Sequence, residues 1–331
     1  MRWLVGLAVI VLGAVAFWLL VPWHGAPPEI TAQGDPARGE YVLRLGGCVT
    51  CHTDDKNGGA FLAGGRAVDS PFGTFYTSNI TPDPETGIGG WSTGAFVRAM
   101  TAGISPGGHP YFPSFPYTSY TNMRLEDLAD LKAYLDTVEP VANDVPDHDL
   151  GFPFGFRPLL KGWQLLFFEP GTFQPEPDRS DAWNRGAYIV NGPGHCMECH
   201  TPRNSLGAPE RDRFLAGTRD GPEGKPVPNI TPHPEDGVGG WSKTDLTFAL
   251  KTSILPDGDV LGGAMAEVVD DATSHWMQED LDAVAEYLLS LEPLADAPAP
   301  AEQDPEPDRR SLLLRRNALT WAQPGRSPIS G

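Results

Sequence analysis

The chain has 331 residues, a length that accommodates two ordinary domains. Its 43 acidic and 24 basic residues give a formal net charge of −19, which argues against nucleic acid as a partner, because clusters of Lys and Arg bind a phosphate backbone. Glycine (38) and proline (34) are abundant and predict much loop, but 40% hydrophobic and 10% aromatic residues exclude a disordered Pro/Gly-rich chain.

The first predicted element is an apolar helix. Arg2 is followed by residues 3–21, a run without charged side chains that as a helix would be about 28 Å long and would span a bilayer. No small-x-small cleavage site follows this run, and Trp23 suits a membrane interface. We therefore expect residues 1–24 to be an uncleaved signal-anchor, single-pass in the cytoplasmic membrane, with the bulk of the chain in the periplasm. A cleaved signal peptide is the alternative.

Four cysteines in an exported chain would normally suggest two disulfides, but here each pair lies in a C-x-x-C-H pentapeptide, the c-type haem attachment sequence. Two thiols three residues apart on one helical turn add to the vinyl groups of one porphyrin, and the histidine becomes the proximal iron ligand. A thioredoxin-like pair would need a βαβ context, and a zinc site would not explain why each pair has its own adjacent histidine. We therefore predict two covalently attached haem c groups. The attachment residues and iron-ligating histidines are Cys48, Cys51, His52, Cys196, Cys199 and His200.

Both pentapeptides lie in an internal repeat. The matching segments are residues 38–41 and 185–188 (Arg-Gly-x-Tyr), 79–92 and 229–242 (Asn-Ile-Thr-Pro-x-Pro-x-x-Gly-x-Gly-Gly-Trp-Ser), and 126–135 and 279–288. The pattern predicts two duplicated modules, each a small all-helical fold around a haem. In each module we expect a short helix capped by Ser92 or Ser242 and a terminal helix with acidic residues in its first turn.

Between and after the modules lie two segments of different composition. Residues 157–168 form an apolar run that is too short to span a bilayer, and we expect it to pack across both modules. Docking on a membrane surface or a partner is the alternative for this run. The tail is basic and apolar at residues 309–316, which suits docking on the chain's own acidic surface, a partner or lipid headgroups.

The order of these motifs resembles the cytochrome c subunits of membrane-bound alcohol, aldehyde, gluconate and related dehydrogenases, over nearly all of residues 35–293. The resemblance implies an all-α fold with two class I cytochrome c domains in tandem. It implies electron transfer from a dehydrogenase catalytic subunit or a quinol-side donor to the respiratory chain, through a terminal oxidase or a soluble cytochrome. Many members of that family carry three haems, whereas this chain has two motifs. The predicted segments are residues 1–24 (anchor), 31–142 (first domain), 143–180 (linker), 181–293 (second domain) and 294–331 (tail).

The sixth iron ligand separates two functional classes. In the second module Met265 matches the family's ligand methionine, whereas the first module has Phe115 at that position, which cannot bind iron. Met123 is the first choice for the first haem, with Met100, His109 or an open iron as alternatives. No flavin or nicotinamide glycine fingerprint is visible, so an electron-transfer subunit without its own catalytic site is expected. The rival is an extracytoplasmic haem enzyme, peroxidase-like or thiosulfate-oxidising, with an open first haem.

Overall fold

The protein is helix-rich. The computed structural model describes residues 3, 6, 13–15, 17–21, 28–31, 33–221 and 224–296. The helices from residue 36 onward are α1 (Pro36–Leu45), α2 (Cys48–His52), α3 (Thr93–Ala102), α4 (Tyr117–Tyr120), α5 (Leu125–Leu135), α6 (Leu160–Phe167), α7 (Asp181–Asn191), α8 (Met197–His200), α9 (Lys243–Thr252), α10 (Gly263–Asp271) and α11 (Gln278–Leu289). The predicted tail segment 309–316 lies outside the described residues.

The structure contradicts the predicted membrane anchor. Much of segment 1–24 lies outside the described residues, and those described within it are helical at 3, 6, 13–15 and 17–20. A membrane-spanning helix needs about 20 consecutive apolar residues. Within the part of the chain that the structure describes, no helix is both long enough and apolar enough to cross a bilayer. The prediction of a single-pass protein held in the cytoplasmic membrane through residues 3–21 is therefore wrong.

The two modules are built on the same crossing of helices. In the first module α1 packs on α5, and in the second α7 packs on α11. At each crossing the two helices come into close contact at the glycine of the Arg-Gly-x-Tyr segment. A Cβ at Gly39 would overlap the carbonyl oxygen of Asp130, and a Cβ at Gly186 would overlap the carbonyl oxygen of Ala283. The arginine that precedes each glycine joins the same two helices. Arg38 makes a two-point hydrogen bond to Asp130, and Arg185 makes one to Asp280.

Each crossing buries an apolar cluster. The first cluster includes Leu43, Val97, Leu128 and Leu131, and the second includes Ile189, Val190, Leu281 and Val284. Cys48 packs against the first cluster and Cys196 against the second. The attachment motifs therefore lie at the edge of the two cores, where burial of apolar side chains already holds the chain in place.

The predicted helix caps are present in both modules. The hydroxyl of Ser92 accepts a hydrogen bond from the backbone of Ala95 at the start of α3, and that of Ser242 accepts one from Asp245 at the start of α9. The acidic first turns of α5 and α11 are also as expected, where they suit the helix dipole.

A small sheet departs from the predicted all-α fold. Strands β1 (Ala67–Ser70), β2 (Gly73–Tyr76) and β3 (Asp149–Leu150) form an antiparallel sheet in the order β1-β2-β3. Strand β2 begins directly after the hairpin turn at Gly73, whose φ of +126° suits glycine, and that glycine pairs with Leu150 of the linker. Pairing between a loop of the first module and a distant linker segment has no local sequence signal, which is why it was missed.

Helix α6 lies in the linker and contacts both modules, as predicted. The indole N–H of Trp163 donates to the carbonyl of Leu206 in the second module, and the amide of Gln164 donates to that of Ala102 in the first. Leu165 and Leu166 on the same helix remain exposed.

Candidate haem-binding site

The two C-x-x-C-H motifs form short helical turns that begin after a left-handed residue. Gly47 precedes Cys48 with φ of +57°, and His195 precedes Cys196 with φ of +37°. All four cysteines are free, so the chain does not use them as disulfides. Burial raises the pKa of the thiols of Cys48 and Cys196 to about 12 and that of Cys199 to about 11. These cysteines are therefore neutral S–H groups, the form whose sulfur and hydrogen add across a vinyl double bond without any net oxidation.

The histidines of both motifs are held in the same orientation. The Nδ1–H of His52 donates to the carbonyl oxygen of Ser78 at 2.7 Å, and that of His200 donates to Pro228 at 2.8 Å. Burial lowers the pKa of both imidazoles, and the bond to the carbonyl partly offsets this. A neutral ring with its proton on Nδ1 presents the lone pair of Nε2, which is the arrangement that metal-ligating histidines adopt.

The repeated Asn-Ile-Thr-Pro loops hold these carbonyl groups. Asn79, next to Ser78, accepts hydrogen bonds from the backbone and hydroxyl of Thr81 through its side-chain oxygen, and its amide donates to the carbonyl of Val141 at 2.7 Å. Asn229 makes the same bonds to Thr231 and donates to Leu294 at 2.6 Å. Sequence reasoning identified these loops as a repeat but missed this role, for which the buried asparagine was the available signal.

Phe115 and Met265 lie at the same sequence distance from equivalent backbone bridges, although Met265 is in a helix and Phe115 is in a bend. An isolated bridge joins Ile104 to Pro110 in the first module, and one joins Ile254 to Val260 in the second. Both pairs are related by an offset of 150 residues, the same offset that relates residues 115 and 265.

The side chains at these two positions differ. Met265 lies near the start of α10 and is partly buried. The ring of Phe115 packs at 5.5 Å from Tyr111 and 5.8 Å from Tyr120 between ring centroids. The structure thus places an aromatic group in the first module where the second has a thioether. The assignment of Met265 as an iron ligand stays a prediction.

The other candidates for the first iron have different surroundings. Met123 is 1% exposed and packs in the first apolar cluster, as does Met100 on α3. His109 is exposed at a turn and lines a shallow pocket with Arg157 and Lys161. Buried methionines in an apolar cluster fill space in most cores, so their burial does not favour ligation.

The residues present fit a covalently bound haem. Each motif offers two neutral thiols one helical turn apart and an oriented imidazole, at the edge of an apolar cluster. No set of three or more His, Cys, Asp or Glu side chains that could hold a metal ion occurs among the described residues. Two thiols and one imidazole in each motif match haem c chemistry, in which the porphyrin supplies most of the iron ligands.

Comparison with known proteins identifies several relatives. The chain is 45% identical over 290 residues to a "Diheme cytochrome c-type" protein of Cereibacter sphaeroides, covering 86% of this chain and 95% of the relative. It is 41% identical over 301 residues to a nicotinate dehydrogenase subunit of Pseudomonas putida, covering 88% of this chain and 25% of that protein. It is 37% identical over 323 residues to the cytochrome c subunit of alcohol dehydrogenase (quinone) of Gluconacetobacter polyoxogenes, covering 93% of this chain and 66% of that relative. No family model matches the chain.

Proposed function

Since the chain belongs to the family of di-haem c-type cytochromes and dehydrogenase cytochrome c subunits, we propose that it binds two haem c groups and carries electrons from a dehydrogenase catalytic subunit to the respiratory chain. The predicted resemblance is confirmed by these relatives, and covalently bound haem c follows from it. A terminal oxidase or a soluble cytochrome is the electron acceptor in this proposal. The chain spans nearly all of the first relative but a quarter of the second, so the partner enzyme is inferred from relatives larger than this chain.

The observation that carries the proposal is the duplicated donor set. Cys48 and Cys51 in one module, and Cys196 and Cys199 in the other, attach the porphyrins through their sulfur atoms. His52 and His200 supply their Nε2 lone pairs, because a backbone carbonyl holds each Nδ1–H. When bound, haem c supplies an iron that alternates between the ferric and ferrous states and so carries one electron. Cys48 and Cys196 pack against the apolar clusters beside the motifs.

The first experiment counts the haems and finds their electron donor. The full chain is isolated from its native host, and its covalent haem is measured by pyridine haemochrome absorbance and intact mass. Host extracts that contain the chain then receive an alcohol, a sugar or nicotinate in turn, and reduction is followed at the haem α-band. Two haems per chain and reduction by one substrate class support the proposal. One haem or none, or haems that stay oxidised with every substrate, would reject it.

A second candidate function is supported by Phe115. If no side chain replaces the missing thioether, the first iron has an open position and binds small molecules, as a peroxidase-like or thiosulfate-oxidising enzyme requires. The test is carbon monoxide binding to the dithionite-reduced chain. Binding to about half of the haem supports an open first iron, because one of two irons would react. An unchanged spectrum leaves the electron carrier as the sole function.

A further inference from the structure

The two modules contact each other through reciprocal hydrogen bonds. The hydroxyl of Tyr41 in the first module donates to Asp280 at the start of α11, at 2.7 Å. The hydroxyl of Tyr188, its counterpart in the second module, donates to Asp127 at the start of α5. The same pair of groups therefore meets twice with the modules exchanged, as in an interface between two copies related by a two-fold axis.

The ends of α1 and α7 repeat this reciprocity. The indole N–H of Trp276 donates to the carbonyl of Arg44 at 3.1 Å, and the amide of Asn122 donates to that of Asn191 at 3.0 Å. In each case a side chain just before the terminal helix of one module caps the last turn of the other module's first helix. Because α2 and α8 follow these helix ends directly, the interface brings both haem-attachment motifs to the boundary between the modules.

Two carboxylates of the second module hold the motifs at this boundary. Glu198, inside the second motif, accepts hydrogen bonds from the hydroxyls of Thr118 and Ser119 of the first module at 2.7 and 2.8 Å. Glu267 of the second module pairs with Arg66, whose guanidinium also donates to the carbonyl of Thr50 inside the first motif. Each attachment motif is thus tied to the module that does not contain it.

His195 makes a direct link between the two motifs. It immediately precedes Cys196, and its Nε2–H donates to the carbonyl of Gly46, two residues before Cys48, at 3.2 Å. Its ring also meets that of Tyr120 edge-on, with centroids 5.6 Å apart. One hydrogen bond and a few covalent bonds therefore connect an attachment cysteine of one haem to an attachment cysteine of the other.

The backbone conformation of His195 indicates that its side chain is required at this position. Its φ of +37° is left-handed, a conformation that is unfavourable for a residue with a Cβ and that glycine adopts easily. The corresponding residue of the first motif is Gly47, at φ of +57°. A residue other than glycine stays in a strained conformation when the surrounding structure requires its side chain. Here the side chain of His195 bridges the two motifs.

We infer that His195 is a positioning residue that locks the second attachment motif against the first, so that the two haems are coupled across the module interface and exchange electrons within one molecule. In the exchange, one electron leaves a ferrous iron and reduces the ferric iron of the other haem, and no bond or proton changes place. This inference rests on the proposed function, since it needs two haems in the chain.

The experiment compares three variants of the full chain with both haems attached. His195→Gly removes the bridge and relieves the backbone strain, so it should fold. His195→Asn keeps an N–H donor on a residue that tolerates the left-handed region. Ser253→Gly is the matched control, because Ser253 has φ of +65° where the first module has Gly103 at +63°. A flash of photogenerated reductant, less than one electron per chain, starts the exchange, and absorbance follows the redistribution of electrons between haems.

We expect an exchange phase in the wild type whose rate does not depend on protein concentration. His195→Gly should slow that phase about tenfold or more, the usual scale for losing a group that orients a metal site. His195→Asn should recover part of the rate, and Ser253→Gly should leave it unchanged. Equal rates in His195→Gly and the wild type, or exchange that occurs only between molecules, would overturn the inference while the electron carrier stands. A wild type with fewer than two haems would instead overturn the proposed function.

Discussion

The two modules share the contacts around their C-x-x-C-H motifs and differ at the position where we predict the sixth iron ligand. Both have a left-handed residue before the motif, a histidine tied to a backbone carbonyl and an asparagine that fixes the loop carrying that carbonyl. Five residues after equivalent backbone bridges, however, the first module has Phe115 and the second has Met265. The contacts around the attachment motifs are therefore repeated almost unchanged, whereas the position of the predicted iron ligand differs between the modules.

A second difference concerns how each module meets its neighbour. Met123, directly before α5, fills the place that Trp276 fills before α11. A Cβ added to Gly192 of the second module would contact Met123 at 3.8 Å, and Trp276 donates to the carbonyl of Arg44 in the first module. Both side chains therefore serve the module interface. The assignment of Met123 as the sixth ligand of the first haem, with Met100 and His109 as alternatives, stays a prediction.

The largest expected effect comes from exchanging the side chains that distinguish the two haem sites. If the first iron has an open position, carbon monoxide should bind about half of the ferrous haem of the wild type. Met265→Phe should open the second iron, so that nearly all of the haem binds carbon monoxide. Phe115→Met should supply a thioether to the first iron and abolish nearly all binding. Titration of the reduced protein with carbon monoxide, followed in the Soret band, measures these fractions.

The control for this exchange is Met277→Phe, which changes a methionine that is 52% exposed and should leave carbon monoxide uptake unchanged. Uptake that responds to neither Met265→Phe nor Phe115→Met would show that these positions do not face the irons. The difference between the modules at these positions would then concern packing and not iron ligation.

The next effect tests whether the two helix crossings are equally tight. Gly39→Ala and Gly186→Ala each place a Cβ against a backbone carbonyl of the partner helix, which cannot move without shifting that helix. Each should lower the free energy of unfolding by about 3 kcal/mol, at the upper end of overpacking costs. Gly162→Ala on α6 is the control, because no atom lies within 4 Å of the added Cβ. It should stabilise the protein by about 0.5–1 kcal/mol.

Thermal and denaturant unfolding of the haem-loaded protein measures these free energies. A Gly39→Ala variant as stable as the wild type, with Gly186→Ala strongly destabilised, would mean that the first crossing is the looser of the two. The two modules would then differ in how tightly their helices pack.

Local signals made much of this structure predictable from the sequence. The Ser92 and Ser242 caps and the acidic first turns each depend on a few neighbouring residues, and all are present. The apolar run at residues 3–21 shows the limit of such signals. Composition and length predicted a membrane-spanning helix there, and the described residues contain none that meets both requirements.

Contacts between distant segments could not be predicted. The carbonyl of Ser78 that orients His52 has no side-chain signature, because every residue carries one. Strand β3 comes from the linker and was hidden in a loop rich in Pro and Asp. The Tyr41 and Tyr188 hydroxyls were visible as a repeat, but their partners across the interface appear only when the modules are placed side by side.

Those two tyrosines allow a symmetric test of the interface. Tyr41→Phe and Tyr188→Phe each leave a carboxylate with one donor fewer, and each should cost about 1–3 kcal/mol of unfolding free energy. Burial raises the pKa of both phenols, so they stay protonated donors and the cost should be constant between pH 6 and pH 8. Similar losses support a reciprocal interface. If only one variant is destabilised in urea unfolding, the interface is held from one side.

The smallest expected effect is a difference in unfolding free energy between variants of the α3 cap and variants of the α9 cap. Ser92→Ala and Ser242→Ala each remove an N-cap hydroxyl and should cost about 1 kcal/mol. Ser242 also belongs to a capping box, in which the carboxylate of Asp245 accepts from the Ser242 backbone and hydroxyl. The second cap should therefore be the more sensitive, and its loss should depend on pH.

The sign of that dependence follows from the carboxylate. The bonds from the Ser242 side chain and backbone hold the pKa of Asp245 below its ordinary value. A depressed pKa stabilises the fold above the ordinary Asp range near pH 4 and loses that contribution as pH falls through the lower folded value. Unfolding measured at pH 7 and pH 3 should show the extra cost of Ser242→Ala shrinking toward that of Ser92→Ala at the lower pH. Because Ser92 has no acidic partner in its cap, the cost of its replacement should not change with pH, and a parallel change in both variants would show that the two caps work alike.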